Sequence, residues 1–165
     1  MTFPFPLAPL VLQHKIDTTG LPRFGDMTQG GGLNAAFDGN ISQDTSNCAV
    51  GVNDSSTAFA GVDLGSGAAR VLTGFRAFPT TNQGYYQGGG ANSVTVSLFG
   101  SNAQPVSATN GTLLGSASGT NSNSLVLSNF AVANTTAFRF VWCVVSANPI
   151  AGKSFTAEFE FYATP

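Results

Sequence analysis

The sequence predicts an all-β domain led in by an extended N-terminal arm, and three observations carry that reading. From about residue 33 onward the apolar residues recur with a period of two, in runs rich in β-branched and aromatic side chains. Gly, Asn and Ser clusters separate those runs, and no stretch shows the period of an amphipathic helix. Before residue 33 neither period is sustained, and the segment closes on Gly30, Gly31 and Gly32.

Residues 1–32 therefore read as an arm with a Gly-rich hinge, and 33–165 as the β domain. Pro4, Pro6 and Pro9 favour extended, partly polyproline backbone with few donors, which leaves Phe3, Phe5, Leu7 and Leu10 to press into something else. That something is either the chain's own domain or a neighbouring subunit. Strands are expected over 69–78, 93–99, 124–130, 137–145 and 154–162. Alternation puts Phe138, Phe140, Trp142 and Val144 on one face, and Phe155, Ala157, Phe159 and Phe161 on one face of the last strand. Those two faces are the expected core. No internal repeat of roughly 20 to 50 residues is present.

Composition excludes several functions. Charged residues make up only 8% of the 165-residue chain, against roughly 25% in an ordinary soluble domain. With six basic residues and a formal charge of -2, the chain cannot build the Lys/Arg field that nucleic-acid affinity depends on. No apolar run reaches the roughly 18 residues of a membrane span. The N-terminus is apolar but has no basic start, and its prolines interrupt it, so it does not read as a signal peptide. Without an export signal, Cys48 and Cys143 read as reduced thiols, and the sequons at Asn40, Asn53, Asn110 and Asn134 as coincidences of an Asn/Ser/Thr-rich chain.

One ordered set of short motifs spans most of the β domain. Ala35-Ala36-Phe37-Asp38-Gly39-Asn40 is followed by Phe59 to Gly65, Val71 to Arg76, Val94 to Asn102, Gly111-Thr112 and Ala137 to Val141, and closed by Ala157 to Tyr162. In order and spacing this resembles the discoidin, or coagulation factor 5/8 type C, family over residues 33–162. The resemblance implies a galactose-binding-like jelly-roll β-sandwich that works as a carbohydrate- or surface-binding module rather than an enzyme. It also implies a structural Ca2+ held by the Asp38 and Glu158 side chains with backbone oxygens of Ala35, Asn40 and Ala157. The family's Thr three residues beyond the Asn is Gln43 here, and the Trp that usually follows is missing. Two carboxylates, carbonyls and a Gln amide can supply the six to eight oxygens that Ca2+ takes at about 2.3 to 2.6 Å. The alternative is that Asp38 simply caps its own turn by accepting backbone N–H bonds.

Ligand chemistry is expected in the long connection 80–90. It offers Tyr85 and Tyr86 as sugar-stacking faces, with Asn82, Gln83 and Gln87 as amides and Arg76 on the preceding strand. Paired tyrosines in a Gly-rich loop equally suit packing against a neighbouring subunit. Enzymatic readings fare worse. His14 is the only histidine and lies in the arm, and Glu158 and Glu160 fall on one strand face, about 7 Å apart by strand rise, whereas glycosidase carboxylates flank their substrate. Gly65-Ser66-Gly67 is a turn rather than a phosphate loop, since no third glycine or helix follows.

Two function classes remain. The first is a non-catalytic bacteriophage virion component (head decoration, fibre base or tail accessory), made in the host cytoplasm and anchored through its arm to neighbouring virion subunits or its own copies. The second is a carbohydrate-binding module recognising a cell-surface glycan.

Overall fold

A computed structural model describes residues 13–52, 57–87, 93–148 and 152–165. Its elements in chain order are β1 (His14–Lys15), β2 (Arg23–Gly25), β3 (Gln29–Gly30), a single helical turn α1 (Gly32–Ala35), β4 (Ala49–Val50), β5 (Thr57–Asp63), β6 (Arg70–Phe78), β7 (Ser93–Ser101), β8 (Thr112–Thr120), β9 (Leu127–Asn129), β10 (Ala137–Phe138), β11 (Phe140–Asn148), β12 (Phe155–Thr156) and β13 (Glu158–Ala163). One sheet runs β1-β13-β6-β10, with β9 also on β6; the second runs β2-β5-β11-β7-β8; and β12-β4-β3 form a small third sheet. Every pairing between these strands is antiparallel. The all-β sandwich expected from the sequence is the fold observed. No helix among the described residues is long and apolar enough to cross a membrane.

The core lies between the two large sheets. Leu72, Phe75, Ala77, Phe159 and Phe161 of the first meet Val62, Val94, Val96, Leu98, Val141, Cys143 and Val145 of the second in one buried cluster. In β7 the alternation is clean, with Val94, Val96 and Leu98 inward while Thr95 and Ser97 bond the hydroxyls of Ser118 and Ser116 on β8 (2.8 and 2.9 Å). The middle of β8, Gly115 to Gly119, is Gly, Ser and Ala only and lacks the bulky residues that mark a strand in sequence.

The expected core face of residues 138–144 needs correction. The chain crosses between sheets at Arg139, because β10 pairs with β6 whereas β11 pairs with β5 and β7. Phe138 thus joins the main core, but Phe140, Trp142 and Val144 form a second cluster with Phe59 and Phe99 on the other face of β11. Phe24 covers that face, meeting Trp142 edge-on at 5.9 Å, and the Trp142 Nε1–H donates to the Ala108 carbonyl at 2.7 Å. Gly61 makes this possible: a Cβ there would stand 2.4 Å from Trp142 Cβ and 2.6 Å from the Phe24 ring.

The expected arm needs correction as well from residue 13 on. His14 and Lys15 pair with Ala163 and Tyr162, residues 23–25 with β5, and Met27 is fully buried. Edge pairing and a buried Met side chain hold this stretch although it has no period of its own. The triple glycine is not a hinge. Gly30 pairs with Ala49, and the Gly31 N–H donates to Cys48 O at 2.9 Å, with a Cβ at Gly31 falling 2.1 Å from Asn47 O. These glycines permit close backbone approach. Phe3, Phe5, Leu7 and Leu10 lie outside the described residues.

Candidate functional site

Loops at one end of the sandwich are fixed by side-chain amides. In 80–87, Thr80 and Gly84 form a tight turn, Gly84 at φ +77°, and Asn121 accepts from Tyr85 N (2.8 Å) while donating to the carbonyls of Gln83 and Tyr86 (3.0 and 3.3 Å). The far side is sewn to the small sheet by Phe155 N–H to Tyr85 O (2.7 Å) and Gln87 N–H to Lys153 O (3.0 Å). Asn82 reaches across to the preceding loop, donating to Thr45 Oγ1 (3.1 Å) and accepting from Thr45 N (3.2 Å).

This packing overturns the expected role of the tyrosines. Tyr85 is 0% and Tyr86 2% exposed, both within the main core. The Tyr85 hydroxyl donates to Ala77 O at 2.6 Å and accepts from Leu127 N at 3.3 Å, and burial raises its pKa. Neither ring offers a face to a sugar. Arg76 is likewise engaged elsewhere, over the rings of Phe78 and Phe130 and 3.8 Å from Glu160.

With the rings inward, the amides of the same loop face outward. Gln83 and Gln87 line a hollow of about 240 Å³ together with Gln29, Thr45, Lys153 and Phe155. Lys153 Nζ donates to Gln29 Oε1 at 3.0 Å. Among the described residues the lining holds three carboxamides, a hydroxyl and an ammonium but no carboxylate, so it presents donors and acceptors suited to hydroxyl-bearing rings. Gln29, Thr45 and Lys153 were not legible as site residues, since only the small sheet brings β3 and the segment before β12 together.

The expected calcium residues do converge. Glu158 is 2% exposed and accepts the Gly39 N–H at 3.2 Å, which ties the turn after α1 to the closing strand. Burial, opposed by that hydrogen bond and helped by the charge of Asp38, pushes the Glu158 carboxyl up to about 8. Asp38 caps its turn by accepting Asn40 N–H at 2.8 Å, and Ala157 N–H donates to Phe78 O at 3.0 Å. Gln43, 4% exposed, donates from Nε2 to both Asp38 oxygens (2.9 and 2.8 Å) and to Ala35 O (3.3 Å). An amide N–H group thus faces the oxygens a cation would need, and in this arrangement the residues do not fit Ca2+.

Glu160 and the two cysteines are engaged in the packing of the fold. Glu160 accepts from Lys15 (2.6 Å) and from the Tyr162 hydroxyl (2.8 Å); burial raises its pKa, but these bonds outweigh that and hold it low. Cys48 and Cys143 are buried free thiols in separate clusters, and burial pushes Cys48 up to about 12. His14 sits on β1 in the first sheet.

No protein-family model and no curated protein sequence matches the chain. Solved structures do resemble it. Truncated AlyQ with CBM32 and alginate lyase domains superposes with TM-score 0.61 at 15% identity, covering 93% of this chain, which spans 34% of that one. CBM62 from Clostridium thermocellum Xyl5A gives 0.57 at 22% identity, covering 92% and 98% of the two chains. A mutant of the lectin binding domain of lectinolysin gives 0.56 at 19%, covering 88% and 94%. The chain therefore has the galactose-binding-like β-sandwich fold of such modules.

Proposed function

We propose that this chain is a non-catalytic carbohydrate-binding module whose ligand seats in the hollow lined by Gln29, Gln83, Gln87 and Lys153. The observation that carries the reading is the orientation of the 80–87 loop: its rings anchor the core while its amides line a hollow with no carboxylate among its described residues, at the loop end of the fold. Structural neighbours support it, since the lectinolysin domain was captured with Lewis b and the CBM32 of AlyQ with 4,5-unsaturated mannuronic acid. At about 240 Å³ the hollow falls below the roughly 300–1,000 Å³ of most small-molecule sites. It suits one terminal sugar ring rather than a long run of chain.

The virion reading would dock the chain through Phe3, Phe5, Leu7 and Leu10, which lie outside the described residues, and the neighbours favour glycan binding over it. The test is retention of the chain on immobilised Lewis b oligosaccharide, alginate and a panel of neutral polysaccharides. Wild type should bind at least one of these, and Gln29→Ala/Gln87→Ala should lose it with an unchanged melting temperature. Equal retention by the double variant would remove the hollow from the account.

A further inference from the structure

The turn that carries the expected calcium ligands is closed by a side chain of its own. Three acceptor oxygens, two of Asp38 and one of Ala35, converge on one hydrogen-bearing nitrogen, Gln43 Nε2, at 2.8 to 3.3 Å. The backbone at Gln43 is held too, because Thr81 N–H donates to Gln43 O at 2.9 Å. The position of the amide is thus set by its main chain as well as by its acceptors.

The orientation of that amide is informative. Gln43 Oε1 is buried and has no hydrogen-bond partner among the described residues. Were the amide reversed, Oε1 would face the Asp38 carboxylate and be repelled by it unless a cation stood between them. Turning the NH2 inward satisfies Asp38 and Ala35 and leaves one carbonyl oxygen unpaired. The other expected carboxylate needs no metal to reach the turn either, as Glu158 takes the Gly39 N–H and Phe159 N–H donates to Ala36 O at 2.8 Å.

We infer that Gln43 is a built-in replacement for the metal: its carboxamide occupies the side of Asp38 and Ala35 where a Ca2+ would bind, and the sandwich closes end to end without calcium. The lock also serves the hollow, because Gln43 lies two residues before Thr45 on the hollow's rim. Loop geometry at the hollow is accordingly independent of free calcium.

The test uses the full chain, melted in chelator and in millimolar CaCl2, with calcium titration calorimetry alongside. The expected result is the same melting temperature in both buffers and no heat of binding. A higher melting temperature in CaCl2, or saturable calcium heat, overturns the inference. Gln43→Thr removes the amide and should melt below wild type in chelator; equal melting would also overturn it. The wild-type comparison stands even if that variant does not fold, and neither measurement depends on whether a glycan binds.

Discussion

Gln43 and Asp38 form a two-pronged contact in which one amide nitrogen bonds both carboxylate oxygens, at 2.9 and 2.8 Å. The contact sits where the first turn after α1 meets the closing strand, and the Gly39–Glu158 bond completes the junction. From there the chain runs directly to Thr45, whose latch with Asn82 sets one wall of the hollow. Fold closure and the candidate site thus share one short segment.

Single substitutions in the hollow should be graded. Replacing Gln29, Gln83 or Gln87 with Ala removes neutral hydrogen bonds of about 0.5–1.5 kcal/mol each, which weakens glycan binding roughly 2- to 10-fold. Lys153→Met should cost more on a uronate than on a neutral sugar, because a charge-assisted bond is the stronger kind. Calorimetric titration with both ligand types checks the difference.

Tyr85→Ala and Tyr86→Ala should behave as core mutations. Emptying either fully buried ring site is expected to cost about 3–5 kcal/mol of stability. Tyr85→Phe loses only the bonds to Ala77 O and Leu127 N, at about 1–3 kcal/mol. Urea unfolding of the variants reads both, and a Tyr85→Ala chain as stable as wild type but defective in binding would contradict the burial.

Gly61→Ala should destabilise the second aromatic cluster. The added methyl would meet Trp142 Cβ at 2.4 Å, Val141 O at 2.5 Å and Phe24 at 2.6 Å, and such overpacking costs about 1–3 kcal/mol or more. Trp142 fluorescence reports it directly, since its indole should lose the Ala108 contact.

Acid should weaken one identified pair. Arg139 holds Asp63 through Nε and Nη2 at 2.7 and 2.6 Å, and these bonds keep the Asp63 carboxyl below its ordinary 3.8. A lowered folded-state pKa contributes stability above the unfolded value, which is lost as pH falls through the folded one. The stability gap between wild type and Asp63→Asn should therefore narrow below about pH 4. A gap constant from neutral to acid pH would remove the pair from the account.

Legibility in sequence followed burial geometry. Strands β7 and β13 announce themselves because one face is mainly apolar and the other mainly polar or charged, and the meeting of the 38–39 turn with Glu158 follows from the motif order. Strand β11 misleads because it is central and covered on both faces, so Val141, Cys143 and Val145 compete with Phe140, Trp142 and Val144 for the inward side. Tyr85 and Tyr86 misled for a related reason: nothing local in a Gly-rich loop tells which side its rings take. Gly31 read as a hinge, since a glycine run serves flexibility and tight approach equally well.

The most direct measurement is an NMR titration of the labelled chain with the Lewis b oligosaccharide and with an alginate oligomer, following side-chain amide and backbone signals. Binding of either should shift the side-chain amides of Gln29, Gln83 and Gln87 and the backbone of Thr45 and Lys153, leaving Tyr85 and Tyr86 nearly still. Shifts clustered on another face of the sandwich, or no shifts with any glycan the chain retains, would contradict the account.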